Sequence, residues 1–433
     1  MAGTRFDAVV VGAGPAGSVA ALVLARGGAR VALVDKAVFP RDKACGDLVG
    51  PRALQLLGDL GVGLPPSVDV GDLVVIGPSG RRVRLPSFEG RSYPGHATAV
   101  TRTAFDTALR DAALEAGAVP FEARADTPLE RHGRLDGFTT DGGDLVRGDF
   151  VIGADGATSR VASAAGLVDG ERVLWGFAVR AYVDQPVELP AIVLWEQARW
   201  RAFPGYGWIF PGPDGRANVG IGIGTRSDRQ AGARAVRALP RFLDHLGTLG
   251  LLGSGAAASS GRPLGGWLKM GMVGTAPARG RTLLVGDAAG LVNPLQGEGI
   301  AQATASGRSA AEAVLTQGAA ASTHYRRALA AAHLPYQRIT AAAHTALVGR
   351  PRAVAGLGRL LTAPVVGPAL AGGWAVFWNE LLDGAPPGGA RSVAALATQV
   401  GAVLTAGTAV ARWFEATVPE RSARVRADQS APA

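Results

Sequence analysis

The fold is decided by Asp7-Ala-Val-Val-Val-Gly12-Ala-Gly14-Pro-Ala-Gly17, a β-branched run that ends in a glycine-rich turn. The run predicts a buried strand, and the apolar pattern over Pro15–Arg26 predicts a helix directly after the turn. With this spacing Gly12 permits the tight turn, Gly14 lets the backbone approach a pyrophosphate, and Gly17 lets helix and strand pack closely. The free N–H groups of the helix N-terminus attract a phosphate. The stretch therefore predicts a dinucleotide-binding unit.

A second apolar strand, Arg30–Val34, completes this unit and ends in Asp35. Asp35 is placed to accept hydrogen bonds from the hydroxyls of an adenosine ribose, and the crossover between the parallel strands should be right-handed. A glycine-rich turn without a ligand is the alternative for the first motif alone, and Asp35 argues against it. The unit itself does not distinguish NAD from FAD.

Two further turns that combine glycine with an acid also follow predicted strands. Asp149–Ile152 leads into Gly153-Ala-Asp155-Gly156, and Arg281-Thr-Leu-Leu-Val leads into Gly286-Asp287. One such pair is usually an ordinary turn, but three in this order are hard to obtain by chance. The set resembles the para-hydroxybenzoate hydroxylase-like flavoproteins. That resemblance implies that FAD is the cofactor, that Asp287 binds the ribityl hydroxyls, and that Asp155 and Gly156 lie near the pyrophosphate.

Within that superfamily the chain is similar to the geranylgeranyl reductase family, and the similarity covers residues 5–310. In the family the matching passages form a segment with a cysteine beside the flavin, the start of a cofactor-facing helix, the aromatic wall of a substrate cavity and the loop at the flavin edge. The four passages in this chain are, in that order, Phe39-Pro-Arg41-Asp42-Lys43-Ala-Cys45-Gly46-Asp47, Thr101-Arg102-Thr-Ala-Phe105-Asp106, Pro204-Gly-Tyr206-Gly-Trp208-Ile-Phe210-Pro211 and Asn293-Pro294-Leu-Gln-Gly297-Glu298-Gly299-Ile300.

In two of these passages, the residue types and their spacing independently favour the roles that the resemblance implies. Gly297 and Gly299 precede a predicted helix, so backbone N–H groups there can approach the flavin pyrimidine, where negative charge appears on reduction. An ordinary helix entry is the alternative. Tyr206, Trp208 and Phe210 alternate, so in a strand they share one face and can form the wall of an apolar cavity. A plain aromatic core explains that alternation nearly as well.

Cys45 and the neighbouring cations are further candidates. Cys45 can donate a proton or shape the flavin pocket, although most lone cysteines are only small buried apolar residues. Arg41, Lys43 and Arg102 are predicted to neutralise the pyrophosphate, although arginines are common throughout this chain. The catalytic candidates are Cys45, Tyr206 and Trp208; the substrate-binding candidates are Tyr206, Trp208 and Phe210; and the cofactor-binding candidates are Gly12, Gly14, Pro15, Ala16, Gly17, Asp35, Lys36, Arg41, Cys45, Gly46, Arg102, Asp155, Gly156, Gly286, Asp287, Pro294, Gly297, Glu298, Gly299 and Ile300.

Composition narrows the class of protein. The chain has 433 residues, 48% of them hydrophobic and 62 of them glycine, which is typical of a globular, loop-rich protein. The formal net charge of +9 is spread along the chain without a basic run, so we expect no nucleic-acid partner. A single cysteine fits a cytoplasmic protein, and the six scattered histidines predict no metal site.

Two stretches of about 20 residues lack charge, 360–379 and 392–411. They hold prolines, glycines and small residues, so packed helices near an apolar ligand are expected rather than membrane spans. Peripheral contact with a membrane remains an expectation, because an enzyme with a lipophilic substrate reaches into lipid.

We predict an α/β fold with three parts: a Rossmann-type FAD-binding domain with a parallel sheet, an antiparallel substrate-binding sheet and a helical C-terminal region. The alternating, aromatic-rich segments between Val173 and Gly224 indicate the antiparallel sheet. The predicted ranges are 1–75, 98–165 and 270–330 for the FAD domain, 76–97 and 166–269 for the substrate domain, 331–422 for the helical region and 423–433 for a disordered tail.

The predicted function is an FAD-dependent reductase in which the flavin N5 delivers hydride to a carbon–carbon double bond of an apolar isoprenoid or secondary metabolite. Cys45, Tyr206 or a water molecule supplies the proton. Gly220-Ile-Gly222-Ile-Gly224 has the spacing of a strand, so the chain shows no second nucleotide turn. NAD(P)H is therefore expected to dock transiently, or a partner reductase supplies electrons. A flavin monooxygenase acting on a polyketide or another natural product is the first alternative. A flavin halogenase and a non-catalytic flavin protein are weaker ones.

Overall fold

The computed structural model describes residues 5–194, 205–225, 230–253 and 259–406, except 380, 382, 385, 387 and 388. It shows the predicted mixed α/β architecture, with one mainly parallel sheet, a second mainly antiparallel sheet and a helical C-terminal region. Pro204 and the predicted tail 423–433 lie outside the described residues.

The predicted nucleotide unit opens the larger sheet. Strand β1 (Arg5–Val11) runs parallel to β2 (Val31–Asp35), and helix α1 (Pro15–Arg26) connects them, as predicted. The other strands of this sheet are β8 (Val119–Glu122), β9 (Ala125–Arg131), β10 (Arg134–Thr140), β11 (Leu145–Gly153), β17 (Ala278–Arg279) and β18 (Thr282–Leu284). Strands β18, β11, β1, β2 and β8 lie parallel in that order, β17 pairs antiparallel at one edge, and β9 and β10 form a hairpin on the start of β11.

The core of this first unit packs helices against the parallel sheet. Its other helices are α2 (Pro51–Asp59), α3 (Arg102–Glu115), α4 (Arg160–Ala164) and α6 (Ile300–Gln317). Fully buried side chains such as Val9, Leu22 and Leu283 hold the layers together by removing apolar surface from water. The C-terminal region joins the same core, because the buried Tyr325 donates a hydrogen bond to the backbone oxygen of Leu284 at 2.7 Å.

The second sheet has the order β16, β12, β15, β14, β13, β5 and β6. Its strands are β5 (Leu73–Ile76), β6 (Arg82–Leu85), β12 (Leu174–Val183), β13 (Ala191–Leu194), β14 (Gly205–Pro211), β15 (Ala217–Thr225) and β16 (Ser259–Met270). Neighbouring strands are antiparallel except β13 and β5, which pair in parallel. Because residues 74–76 of β5 pair with β13, the domain boundary that we predicted after residue 75 falls inside a strand.

Helix α5 (Ala231–Thr248) covers one face of this sheet, and Phe242 on it is fully buried. A separate small sheet joins β3 (Leu48–Val49), β7 (Ala97–Ala99) and β4 (Val68–Val70). The face of the large antiparallel sheet that α5 leaves uncovered points toward the first unit. That face carries the predicted aromatic wall.

The C-terminal region is helical, as predicted, with α7 (Ala321–Leu347), α8 (Pro351–Leu361), α9 (Gly367–Trp378) and α10 (Ala390–Ala406). The uncharged stretch 360–379 divides between the end of α8 and α9. Among the helices in the described part of the chain, none has the length and apolar content needed to cross a bilayer.

Candidate active site

The three glycines of the first motif occupy different surroundings. A Cβ at Gly12, where φ is +104°, would lie 2.3 Å from the backbone oxygen of Ala154, and one at Gly17 would lie 1.8 Å from the oxygen of Gly12. Gly14 meets only the side chain of Arg41, at 3.5 Å. Two glycines therefore bring backbones together, and the middle one leaves open space at the start of α1, where a phosphate can approach.

The carboxylates of Asp35 and Asp155 both accept hydrogen bonds from backbone N–H groups near the first glycine motif. The carboxylate of Asp35 accepts hydrogen bonds from the N–H of Ala13 at 2.7 Å and of Ala37 at 2.9 Å, which ties the first turn to the end of β2. The carboxylate of Asp155 accepts from Ser159 Oγ at 2.5 Å and from the N–H of Arg160 at 2.6 Å. The side chain of Asp155 holds the N-terminus of α4, and its backbone lies against Gly12 of the cofactor turn, so its place near the pyrophosphate stays a prediction.

Asp287 lies in a short 3-10 turn that follows β18. It lines a cavity of about 400 Å³, which we call the main cavity. The ammonium of Lys43 lies 3.7 Å from its carboxylate. A second lysine, Lys269 on β16, is 1% exposed and is influenced by the carboxylates of both Asp155 and Asp287. Burial lowers the pKa of Lys269 to about 8, although the two carboxylates act in the opposite direction. Sequence reasoning missed Lys269, because a lysine within an apolar strand carries no motif.

The two predicted arginines share one buried carboxylate. Asp106 on α3 is fully buried and accepts two hydrogen bonds from Arg102, at 2.8 and 2.7 Å, and its Oδ2 lies 2.8 Å from a guanidinium nitrogen of Arg41. Arg102 is also buried and reaches the sulfur of Cys45. Arg102 is thus neutralised within the protein, whereas Arg41 lies beside the open face of Gly14. The sequence motif around Arg102 does not reveal that Asp106 positions both cations.

Cys45 is half-buried at the edge of the main cavity. Burial raises the pKa of its thiol, while the nearby charge of Arg102 and the backbone N–H of Asp47 act to lower it. Burial has the larger effect, so the sulfur carries a proton at neutral pH.

The predicted flavin-edge loop is held by its own polar groups. Asn293 accepts from the N–H groups of Leu295 and Gln296 at 3.0 and 3.1 Å, and Glu298 accepts from the N–H of Ala301 at 3.0 Å at the start of α6. Gly297, with φ of +69°, adopts the left-handed conformation that glycine favours. The loop therefore presents its backbone to the cavity in one fixed shape.

Tyr206 connects this loop to the second sheet. Its hydroxyl donates a hydrogen bond to the backbone oxygen of Gln296, and burial raises the pKa of the phenol. This contact ties Tyr206 to the loop, and its role as a proton donor stays a prediction.

Trp208 and Phe210 are buried and line the cavity together with Tyr206, on the face of β14 that α5 does not cover. Gly207, between them in sequence, points the other way, because a Cβ there would lie 2.2 Å from the ring of Phe242 on α5. The alternation predicted for the aromatic wall is therefore present. Gly220, opposite Trp208 on β15, makes room for the indole: a Cβ there would lie 2.1 Å from it.

A buried polar network behind the wall was missed from sequence. Trp208 donates to Asn218 Oδ1 at 2.9 Å, and the amide of Asn218 donates to the backbone oxygen of Cys45 at 2.9 Å and to Asp47 Oδ2 at 2.8 Å. Tyr182 donates to the same carboxylate at 2.5 Å. Burial raises the pKa of Asp47 despite these donors. The network fixes the cysteine segment and the aromatic wall relative to each other.

The main cavity connects these elements. It begins at the cofactor motifs, at Pro15, Lys43, Asp287 and Gly299, passes Cys45 and the aromatic wall, and ends under the C-terminal helices. Those helices contribute mostly apolar side chains, and His344 on α7 also lies 3.0 Å from the backbone oxygen of Pro294. The expectation that the stretch 360–379 packs near an apolar ligand agrees with this lining, whereas the contribution of α7 and the first turns of α8 was not predicted. The residues of this helical wall are His344, Leu347, Val348, Val354, Leu357, Gly358, Leu361, Trp374, Ala375, Val376, Asn379 and Leu381.

The residues present fit a flavin nucleotide. Gly14 leaves space beside the N-terminus of α1, where its Cβ would meet only Arg41. Pro15, the carboxylate of Asp287 and the backbone turn at Gly297 line one cavity. A ligand that combines a phosphate, hydroxyl groups and a planar ring fits this set of groups.

Comparison with known proteins agrees with this geometry. Residues 5–191 match the family model described as an FAD binding domain. The chain is 38% identical over 325 residues to the menaquinone reductase of Mycolicibacterium smegmatis, across 73% of this chain and 78% of that protein. It is 32% identical over 329 residues to the geranylgeranyl diphosphate reductase of Rhodobacter capsulatus, across 72% and 75% of the two chains.

A solved structure shows the same fold. A geranylgeranyl bacteriochlorophyll reductase-like protein from Thermoplasma acidophilum gives a TM-score of 0.67 at 20% identity and covers 96% of this chain and 99% of that one. The fold, the matched FAD domain and the sequence identity to reductases over most of each chain lead to one classification. The chain is an FAD-dependent oxidoreductase and belongs to the geranylgeranyl reductase family.

Proposed function

We propose that the protein reduces a carbon–carbon double bond of an apolar, isoprenoid-like substrate. The observation that carries this proposal is the continuity of the cavity from Asp287 and Gly299 to the aromatic wall and the apolar helices. Relatives named menaquinone reductase and geranylgeranyl diphosphate reductase support a substrate of this class. A secondary metabolite of similar polarity fits the same surroundings.

We propose the following binding roles. The N-terminus of α1 beside Gly14, with Arg41 next to it, would hold the pyrophosphate; Asp35 and Lys36 would border the adenosine end; and Asp287 would bind the ribityl hydroxyls. The predicted division into FAD-binding and substrate domains is part of this proposal, with the first boundary moved to before Leu73.

When bound and reduced by the electron donor, FAD would supply the hydride that one carbon of the double bond accepts. The π bond breaks, and the other carbon takes a proton. Cys45 holds a proton on Sγ at the junction of cofactor motifs and cavity, since burial raises the pKa of its thiol. The hydroxyl of Tyr206 donates to the backbone of Gln296, which favours Cys45 as the proton source.

The electron donor is proposed to be NAD(P)H that docks transiently, or a partner flavin reductase. Gly220, Gly222 and Gly224 lie in strand β15, which supports the view that these glycines do not form a second nucleotide turn. We place the protein at a membrane surface, where a long apolar substrate resides.

The test is anaerobic single turnover. The FAD-loaded enzyme is reduced by a donor and mixed with a menaquinone or with geranylgeranyl diphosphate, while flavin absorbance and product mass are followed. We expect reoxidation of the flavin and a product heavier by two hydrogens, and with menaquinone this added mass should remain after the product is exposed to air, which returns any quinol to the quinone. Turnover that requires oxygen and adds an oxygen atom to the product would establish a monooxygenase instead.

Replacement of the proposed proton source separates the two half-reactions. Cys45→Ala should leave reduction of the flavin by its donor unchanged and slow the reoxidation by substrate by roughly 100-fold. Stopped-flow absorbance measures both rates. Equal reoxidation rates in the variant and the wild type would assign the proton to another group.

A further inference from the structure

Helix α8 separates the cavity from solvent. Val354, Leu357, Gly358 and Leu361 line the cavity, at the three- and four-residue spacing of one helix face. The opposite face is exposed and carries Arg352 and Arg359, two turns apart. Because a helix is only about 10 Å across, a molecule that rests on the outer face lies close to the apolar end of the cavity.

The chain that follows α8 exposes apolar side chains. Leu360 is 49% exposed, Val365 is 88% exposed and Val366 is 45% exposed. Val365 is the most exposed large apolar side chain in the part of the molecule that the structure describes. We call Arg352, Arg359, Leu360, Val365 and Val366 the α8–α9 corner.

The stretch of chain that contains this corner carries charge of one sign. From residue 313 to residue 379 the sequence contains no Asp or Glu. The same stretch has six arginines, which are Arg326, Arg327, Arg338, Arg350, Arg352 and Arg359. Exposed apolar side chains flanked by arginines, with no acids nearby in sequence, are complementary to a bilayer with anionic headgroups.

We propose that the α8–α9 corner docks on an anionic lipid bilayer, with Val365 and Val366 inserted among the headgroups and Arg352 and Arg359 on lipid phosphates. This docking rests on the proposed function, because it gives a membrane-resident substrate a short route past α8 into the cavity. A second copy of this chain is the competing occupant, but the uniform positive charge of this stretch disfavours pairing it with itself.

The test uses full-length, FAD-loaded protein and sedimentation with vesicles of phosphatidylcholine, with and without an equal part of phosphatidylglycerol. Wild type should bind the anionic vesicles and lose affinity as salt increases. The double variant Val365→Asp/Val366→Asp should lower the binding at least tenfold. Val236→Asp is the matched control, because Val236 is also 45% exposed but lies on α5, and its binding should equal that of wild type.

Charge and turnover give independent readouts. Arg352→Gln/Arg359→Gln should weaken binding severalfold at low salt, and it tests the corner even if the valine variant loses its flavin. The valine and arginine double variants should reduce substrate embedded in vesicles more slowly than wild type does. The same variants should reduce substrate dispersed in detergent at the wild-type rate. Failure of turnover in detergent would contradict the proposed function and leave the vesicle binding as a separate result.

Three outcomes would overturn the docking proposal. The first is a wild-type protein that does not sediment with anionic vesicles. The second is unchanged binding in both corner variants. The third is a dimer in light scattering that the valine variant converts to monomer without any change in vesicle binding, which would assign the corner to a contact between copies of this chain.

Discussion

The glycines of the cofactor motifs and those of the second sheet are crowded by different neighbours. Around the first motif, a Cβ at Gly12 or Gly17 would meet backbone atoms at 2.3 and 1.8 Å. In the second sheet, a Cβ at Gly220 would lie 2.1 Å from the ring of Trp208, and a Cβ at Gly224 would lie 2.1 Å from the ring of His344. One group lets backbone elements approach each other, and the other provides slots for aromatic side chains.

This difference shows that the high glycine content has two physical origins. Backbone atoms cannot move away without disrupting the turn and the strands beside it, so Gly12 and Gly17 tolerate no side chain. An aromatic ring packed against a glycine can rotate or shift with some loss of stability, so the second sheet can accommodate a small side chain there. We therefore expect substitutions in the first region to abolish cofactor binding, and substitutions in the second to change the cavity while the cofactor stays bound.

The largest effect is expected at the cofactor turn. Gly17→Val should yield protein without bound flavin and lower the free energy of unfolding by more than about 4 kcal/mol, because the side chain overlaps the oxygen of Gly12. Flavin absorbance per protein and urea unfolding measure both effects. Gly58→Ala in helix α2 is the control: no atom lies within 4 Å of its Cβ, so it should be neutral or stabilise by about 0.5–1 kcal/mol. A yellow Gly17→Val protein of normal stability would contradict the first half of the comparison.

Lys269 lies where the second sheet meets the cofactor motifs, and its substitution tests the cost of burying a charge there. Burial lowers its pKa from 10.5 to about 8, so between these pH values the unfolded chain binds more protons and the stability of the wild type rises with pH. Lys269→Met removes the penalty and should be more stable than wild type by up to about 3 kcal/mol at pH 7. The difference should shrink as the pH rises from 8 to 10.5. Urea unfolding across this range measures it, and a difference that is independent of pH would show that Lys269 is not buried as a charge.

The network behind the wall should give the next largest effect. Asn218→Leu removes donors from Asp47 and Cys45, and should lower the free energy of unfolding by roughly 3 kcal/mol. Because burial raises the pKa of Asp47, its carboxylate becomes ionised in the folded protein only at higher pH, so the loss should grow as the pH rises through that pKa.

Urea unfolding at several pH values measures this loss. The double variant Asp47→Asn/Asn218→Leu is the control for the charge, since it has no carboxylate to ionise. The double variant should lose less unfolding free energy, and its loss should not grow with pH through the ionisation of residue 47. Equal losses in the single and double variants would remove Asp47 from the network.

The smallest effect is expected within the aromatic slots. Gly220→Ala forces the indole of Trp208 to move and should cost roughly 2 kcal/mol, while FAD stays bound and turnover falls severalfold. Gly222→Ala, two residues along the same strand, meets Trp208 only at 3.9 Å and should remain within about 0.5 kcal/mol of wild type. Thermal unfolding, flavin content and turnover measure the pair. Identical behaviour of the two variants would show that the slot at Gly220 has no special role.

Sequence reasoning predicted the elements whose signals are local. The strand before Gly12, the helix Pro15–Arg26 and the alternation of Tyr206 and Trp208 are all present in the structure. It failed where a role depends on contacts between distant segments. Asp106, Asn218 and Lys269 act through residues far away in the chain, and the domain boundary near residue 75 was misplaced because the partner of β5 lies more than 100 residues later.

The sequence by itself determined the nucleotide-binding unit and the fold class, because glycine spacing and acids at strand ends reflect backbone requirements that operate over a few residues. The FAD domain and the reductase family followed from the resemblance of the further motifs to known flavoproteins. Only the tertiary structure decided that Asp155 holds a helix, that Tyr206 binds the flavin-edge loop and that the C-terminal helices close the cavity. Side-chain partners and cavity walls come from packing between elements. No local pattern specifies which elements meet.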